Sequence, residues 1–444
     1  MNKYCVGIDI GTSSVKVLGF SGENRIFLKK SYKGDKPVDY LDIVKEIINE
    51  LIEKTNNNVE SIAFSSQTGT YVIDDKQIIK WNQDAGKKEL DEILKTTGKN
   101  KFLNEIQMNH PALISYPLPR LLFIKKNYAN AKNVCQLKDY LVKGLTGNYV
   151  TDYYTWRGLF NFKINDYSKT LLKKYNLEFN LPKVVSPDTV VGEYKGIKIV
   201  VGLNDFYSAV LGIGALKPGT YFDITGTSEH VGYISEKLSD TNISSPYLNN
   251  YVTYGVTQSS GPSIKMGFTV FPNGTTTLDI LKNNPPIFLP YLNGERAPIY
   301  DLNARGLFFG INSDITDKEF YYSIYEGMTF SLYDIINNNN IKNIIVAGGA
   351  ANFELLNSLK ATLFNADILI PNETESSAYG AYLIAKYGLN ISNISKEISY
   401  TKLEIPHNIE TQQILLKRFE LFKEIYKTNK NNFDLLKEVK LWVV

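Results

Sequence analysis

The sequence predicts an α/β protein built by duplication, and three observations carry that prediction. An acidic residue inside an apolar strand, followed by a turn of small residues and a second apolar run, occurs twice: "GIDIGTSSVKVLGF" at 7–20 and "YFDITGTSEHVGYI" at 221–234. Each copy opens a stretch in which strand-like and helix-like segments alternate. The 444 residues, 43% hydrophobic and 21% charged, suffice for two domains with cores of their own.

Taken in order, apolar runs rich in Val, Ile, Phe and Tyr at 4–10, 15–20 and 25–32 predict a meander of three strands. "VDYLDIVKEIINELIEK", 38–54, places apolar residues at helical spacing, and "SIAFSS" is a strand that runs into the loop "QTGTY". Shorter helices are expected over "AGKKELDEILKTT" and "LKDYLVKGLTG", the second closed by Gly147. "IKIVVGL" predicts a buried strand and "NDFYSAVLGIGAL" a helix directly after it. The meander restarts after Gly219. "DKEFYYSIYEGMTFSLYDIINN" is then a helix capped by Asp317, "IKNIIVAGG" a strand ending in glycines, and "ESSAYGAYLIAKYG" a helix whose Ala378, Gly380 and Ala381 suit close packing. Asn-rich patches at 56–58, 337–340 and 428–432 are expected to be surface turns.

Composition narrows the function. A net charge of +3, with only six Arg among 49 basic residues, gives no sign of a nucleic-acid surface. Cys5 and Cys135 lie in apolar runs and are expected to be small buried hydrophobes in a reducing compartment. Three scattered His and two Cys match no zinc spacing. Asp9 interrupts the N-terminal apolar stretch, so no signal peptide is expected, and "FYSAVLGIGAL" is too short to span a bilayer. The expectation is a soluble cytoplasmic protein with no membrane partner.

Neither GxxxxGK[ST], nor GxGxxG opening a helix, nor GxSxG is present. Nucleotide binding would therefore fall to the two hairpins, whose Gly, Thr and Ser can offer N–H groups and hydroxyls to an anion. Asp9 in an isolated hairpin would read as a turn-capping or solvent-exposed strand-end residue, and the second copy of the motif shifts that reading. Gly348 and Gly349 in "NIIVAGGAANFELL" would let a ligand approach the backbone at a helix start, or simply make a tight turn. Asp205 in "VVGLNDFYSAVLG" is either an N-cap or a carboxylate poised to take a proton from a substrate hydroxyl.

Together these stretches resemble the FGGY carbohydrate kinase family, within the larger group of sugar kinases, actin and heat-shock ATPases, over most of residues 3–390. "GIDIGTSSVK" resembles its first phosphate motif, "DITGTS" the second, and "VAGGA" with "ESSAYGA" the adenosine region. "GLFFGINSDITDKEFYYSIYE" fits its C-terminal signature, preceded by the typical "YLNGERAPIYDLNARG". The resemblance implies two duplicated actin-like (ribonuclease H-like) α/β domains, 1–214 binding sugar and 215–444 binding nucleotide, with the nucleotide and sugar cleft between them.

It also implies site residues. Asp205 is the general base. Asp9 sits by the ATP phosphates and meets Mg²⁺ through water, which makes it the metal residue. Gly11, Thr12, Ser13, Lys16, Gly226, Thr227, Gly348, Gly349, Ala350 and Asn352 bind the nucleotide. Gln67, Thr68 and Gly69 join Asp205 on the substrate.

Several positions depart from the family. Arg120 and Phe123 in "SYPLPRLLFIKKN" replace Lys and Trp. Thr68 and Gly69 stand where xylulokinases have Met-His and glycerol kinases Arg-Glu. "WNQDAG" keeps Trp81 but has Gln83 and Ala85 in place of Asp and Arg, and Asn204 replaces a Gly. Trp156 and Arg157 in "TDYYTWRG" occupy a segment that borders the sugar in relatives, whereas His230 is expected to be a strand residue. The expected activity is ATP-dependent phosphorylation of a hydroxyl on a ketose, polyol or related sugar. The rival is a nucleotide-dependent binding protein of the actin or heat-shock kind. Homodimerisation is left open.

Overall fold

The computed structural model describes residues 3–108, 113–225, 229–240, 242–258, 260–337 and 341–440. By internal contacts the chain forms two compact units. One comprises 1–216, 243–251 and 375–398, the other 217–242, 252–374 and 399–444. A single cut near Gly214 does not anticipate the two returns of the chain, at 243–251 and 375–398, into the first unit.

The first unit is built on a six-stranded sheet in the order Val190–Tyr194, Ile197–Asn204, Val59–Ser66, Tyr4–Ile10, Ser14–Ser21, Asn24–Ser31. Strand alternation answers why Asp9 lies between two isoleucines. Val6, Ile8 and Ile10 share one fully buried face, in the same core as Tyr40, Val44, Ile47, Ile48 and Leu51 of the helix Pro37–Lys54. Each such side chain contributes roughly 1.5–3 kcal/mol by leaving water. Cys5, Gly7 and Asp9 point the other way. There the helix Ser376–Tyr387 comes so close that a Cβ on Gly7 would lie 2.0 Å from the Ala378 carbonyl oxygen. The same helix packs on Asp205–Gly212, where a Cβ on Gly380 would sit 1.8 Å from the Ser208 carbonyl oxygen. The small residues of "ESSAYGAYL" thus serve packing.

In the second unit Asn250–Thr257, Glu229–Ser235, Tyr221–Thr225, Asn343–Gly348, Asp367–Pro371 and Tyr400–Lys402 follow one another across a sheet. Tyr221–Thr225 pairs antiparallel with the next strand in sequence and parallel with Asn343–Gly348, just as Tyr4–Ile10 pairs with Ser14–Ser21 and with Val59–Ser66. The duplication is therefore one of topology as well as motif. The helices Asp317–Ile336, Glu354–Phe364 and Ile409–Lys440 contribute the core around Tyr322, Leu332, Leu356 and Phe422.

Four local expectations need correction. Thr316, not Asp317, caps the long helix: it accepts from the Lys318 N–H at 3.3 Å, and Glu319 returns the capping bond. The patch 428–432 is not a turn but part of the 32-residue helix Ile409–Lys440, where buried Phe422, Ile425 and Phe433 outweigh the poor helix propensity of Asn. Cys5 is only partly buried, and Cys135 fully. Gly349–Asn352 form a single 3₁₀ turn, so the helix begins five residues after Gly349 rather than at the glycines. Asn56 and Asn57 do form the expected turn, both in the left-handed region, while 338–340 lie outside the described residues.

Candidate active site

Three parallel strands of the first unit end side by side, with Ile10 opposite Ser66 and Ser66 opposite Asn204. Their carboxyl ends deliver the turn Gly11–Ser13, the loop Gln67–Gly69 and Asp205 to one edge of the sheet, the usual ligand edge of such α/β sheets. Gln67 is buried and donates its main-chain N–H to the Ile10 carbonyl at 3.1 Å. Gly69 has φ 84°, and its N–H donates to Gln136 Oε1 at 3.0 Å.

Asp205 is the first residue of the helix Asp205–Gly212, but the capping role falls to Asn204, whose Oδ1 accepts from the Tyr207 N–H at 3.0 Å. Asn204 also donates its amide to the Tyr154 carbonyl at 3.1 Å. The Asp205 side chain is thereby released from capping. Its Oδ1 accepts three bonds: Thr68 Oγ1 at 2.6 Å, Thr68 N–H at 3.1 Å and Phe206 N–H at 2.9 Å. Oδ2 takes none among the described residues. Burial pushes the carboxyl up from its ordinary range, against the Thr68 and Phe206 bonds and the Arg157 charge, which pull it down. Arg157 is itself buried and lies over the rings of Tyr207 at 4.8 Å, Phe206 at 5.2 Å and Tyr116 at 5.4 Å.

Asp9 accepts from Ser65 Oγ at 2.8 Å through Oδ1 and faces Lys16 across the hairpin. Burial pushes its carboxyl up to about 7, with the Asp205 and Glu375 charges adding to the rise and Ser65 and Lys16 opposing it. Lys16 is paired with Glu375 at 2.5 Å. Thr12 and Ser13 are exposed, and Thr12 Oγ1 accepts from Trp81 Nε1 at 3.1 Å. The loop that presents Trp81 is held by Arg120, fully buried, whose Nη2 donates to the carbonyls of Lys80, Trp81 and Gln83 at 3.1–3.2 Å. That explains a guanidinium at this helix position: it satisfies one loop by several bonds at once.

In the second unit Gly226 and Thr227 lie outside the described residues. Thr225, just before them, is opposite Gly348 in the parallel pairing. Gly348 has φ 87°, and a Cβ there would lie 2.0 Å from the Thr225 carbonyl oxygen, so its glycine is demanded by the sheet. Gly349 is exposed, and a Cβ would meet nothing within 4 Å. Ala350 is buried within the 3₁₀ turn and Asn352 exposed at its end.

Asp223, the counterpart motif's acid, is not a second Asp9. It is buried and ion-paired with Lys360, which also lies 3.6 Å from Glu229, while Thr225 donates to Glu229 at 3.0 Å. Burial and the Asp223 charge push Glu229 up to about 8. Trp156 is a core residue, donating to Asp139 at 3.1 Å, and His230 occupies the strand opposite Ile224.

The family model for the N-terminal domain of the FGGY family of carbohydrate kinases matches residues 4–212, and the model for its C-terminal domain matches 276–389. The chain belongs to the FGGY family of carbohydrate kinases. A xylulose kinase of Staphylococcus xylosus is 28% identical, the alignment covering 96% of this chain and 99% of the relative. A gluconokinase of Bacillus subtilis is 25% identical over 87% of this chain and 88% of the relative. In three dimensions the chain superposes on ligand-bound xylulose kinase from Lactobacillus acidophilus with a TM-score of 0.86 at 24% identity, covering 98% and 100% of the two chains. The fold is that of the FGGY kinases, and the chain is an ATP-dependent sugar kinase. No helix among the described residues is long and apolar enough to cross a membrane.

Two participants and one pairing were not predicted from the sequence. Glu375, the partner of Lys16, opens "ESSAYGA" two residues after Glu373, and nothing local signals its pairing with Lys16. Lys360 is one lysine in an amphipathic helix, and its burial is visible only after folding. The bond from Thr68 to Asp205 joins residues 137 positions apart.

Proposed function

We propose that this FGGY kinase transfers the γ-phosphoryl group of ATP to a hydroxyl of a ketose, with a ketopentose such as xylulose as its first candidate, and that Asp205 is the general base. The observation that carries the assignment is the division of labour at the strand end: Asn204 caps the helix, leaving Asp205 a carboxylate with one oxygen fixed and the other without a bond among the described residues. The acceptor hydroxyl gives its proton to Oδ2 as its oxygen attacks phosphorus, and the bond to the ADP oxygen breaks in line. Gln67, Thr68 and Gly69 border this acceptor. Gly11, Thr12, Ser13 and Lys16, with Gly226, Thr227, Gly348, Gly349, Ala350 and Asn352, serve the nucleotide.

The donor set fits Mg²⁺. Asp9 offers one hydrogen-bonded oxygen and a second with no bond among the described residues, and the Asp205 and Glu375 charges acting on it would favour a cation there. Among the described residues no group of three or more acidic, His or Cys side chains forms a cage, which suits an ion held by one carboxylate, water and phosphates. When bound, the ion would neutralise phosphate charge.

A second reading, an aldonic acid, is favoured by the buried Arg157 guanidinium, whose charge acts on Asp205 and would suit a carboxylate-bearing substrate. Glycerol is expected to be poor, because Thr68 and Gly69 lack the charged groups glycerol kinases place there. The test is an ADP-release screen across pentuloses, hexuloses, polyols and aldonic acids. Glycerol as best substrate would sink the use made of this loop, and ATP turnover indifferent to any sugar would sink the kinase assignment.

A further inference from the structure

Thr68 stands where the sequence places a substrate contact, yet both of its donors are spent on Asp205: the hydroxyl at 2.6 Å and the main-chain N–H at 3.1 Å, converging on Oδ1. Phe206, from the helix itself, adds a third donor to the same oxygen at 2.9 Å. We infer that Thr68 is a positioning residue for the base, clamping one carboxylate oxygen so that the carboxyl cannot rotate and the other oxygen is kept for the proton. This rests on the reading of Asp205 as the base.

The residue type matters. A carboxylate held only by its own helix keeps freedom about its last torsion, which is broad for Asp. A clamp from a neighbouring strand end removes it. Threonine supplies a hydroxyl donor on a side chain stiff at χ1. Methionine, which the xylulokinase pattern places here, has no side-chain donor.

Bonds to the ionised form also stabilise that form, so the clamp holds the base ionised to lower pH than burial alone would allow. The charged groups facing Asp205 from the packed elements are Arg157, from the loop after Val150–Asp152, and Asp9, from the first strand. Lys16 and Glu375 beside Asp9 are paired with each other, and Ser377 of the helix Ser376–Tyr387 donates to the Asp205 carbonyl without charge. None of these is altered by changing Thr68.

The experiment compares kcat–pH profiles of the full-length protein, Thr68→Val and Thr68→Ser on the best substrate, with Asp205→Asn alongside. Thr68→Val keeps shape and N–H but removes the hydroxyl. It should lose roughly ten-fold in kcat on the alkaline plateau, a magnitude typical of one lost bond to a charged group, and its acidic limb should move to higher pH. Thr68→Ser should restore both, and KM for Mg·ATP should not change. Parent-like kcat and acidic limb in a folded Thr68→Val protein overturn the inference. So does a rise confined to the KM for sugar, which would make Thr68 a substrate contact. If Asp205→Asn loses 10²-fold or more while Thr68→Val is parent-like, only the clamp is wrong. If Asp205→Asn keeps its turnover, the base assignment falls and the clamp falls with it.

Discussion

Asn204 accepts the Tyr207 N–H at 3.0 Å and so caps the helix that Asp205 begins. Two adjacent polar residues at one strand end thus have separate tasks, and substitutions can tell them apart. Asp205→Asn keeps an oxygen able to accept from Thr68 and Phe206, and leaves the cap untouched. The melting temperature and Mg·ATP affinity should stay near those of the parent while kcat falls by roughly 10²- to 10⁴-fold. Asn204→Ala should do the reverse, costing about 1 kcal/mol or more through the lost cap and the unpaired Tyr154 carbonyl, with a smaller effect on kcat. Chemical denaturation and steady-state kinetics on both proteins check the pair. Equal losses of stability and turnover in the two would contradict the division.

Asp9 gives the nucleotide-free protein a pH signature. Its carboxyl is pushed up from 3.8 to about 7 by burial, so the unfolded chain releases this proton first as pH rises. Between about 4 and 7 the native state binds more protons than the unfolded state, and this group's contribution to stability falls with rising pH. Asp9→Asn removes that slope. The melting temperature of the variant relative to the parent should therefore climb from pH 4 to pH 7 and level off above it, while Mg·ATP binding is lost. Parallel melting curves across that range would show that Asp9 ionises as an ordinary exposed carboxyl.

What the sequence disclosed follows the range of the forces concerned. Strand alternation around Asp9, the amphipathic helix Pro37–Lys54 and the Gly147 cap at φ 78° are local, and each was legible. The doubled hairpin exposed the duplication because topology repeats with the motif. The helix Ile409–Lys440 was not anticipated at all, and its Asn-rich stretch was expected to be a surface turn, since what holds 428–432 helical is the core contact of Phe422, Ile425 and Phe433 rather than any propensity. At the site, residue types were legible and their pairings were not. Nothing near Thr68 announces Asp205, and the matching of Asp223 to Asp9 by motif concealed that one is tied to a buried lysine and the other is not.

Lys360 is that buried lysine, and it holds two carboxylates, Asp223 and Glu229, in the interior of the second unit. Lys360→Met should destabilise the protein by about 3–5 kcal/mol, because it leaves acids buried without their cation. Asp223→Asn added to it should recover part of the loss, since it removes the carboxylate that Lys360 pairs with, whereas Glu229, pushed up to about 8 by burial and the Asp223 charge, should contribute little at neutral pH. Denaturation midpoints of the single and double variants measure this coupling. A double variant no more stable than Lys360→Met would mean that Asp223 is not the charge that Lys360 compensates.

Gly348 and Gly349 are adjacent but have different reasons to be glycine, which allows a test of the nucleotide assignment that does not depend on turnover. A Cβ on Gly348 would fall 2.0 Å from the Thr225 carbonyl oxygen at a backbone φ of 87°. Gly348→Ala should therefore disturb the sheet and lower the melting temperature. Gly349 has open space where a Cβ would go, so Gly349→Val should fold with little loss. If the strand end serves the nucleotide, the added side chain in Gly349→Val occupies the space the ligand needs, and ADP affinity measured by calorimetry should drop by roughly ten-fold or more, the scale of about 1.4 kcal/mol. The sugar affinity of the same protein should be unchanged. Parent-like ADP binding in a folded Gly349→Val protein would remove this strand end from the nucleotide site and leave Gly349 as no more than a turn residue.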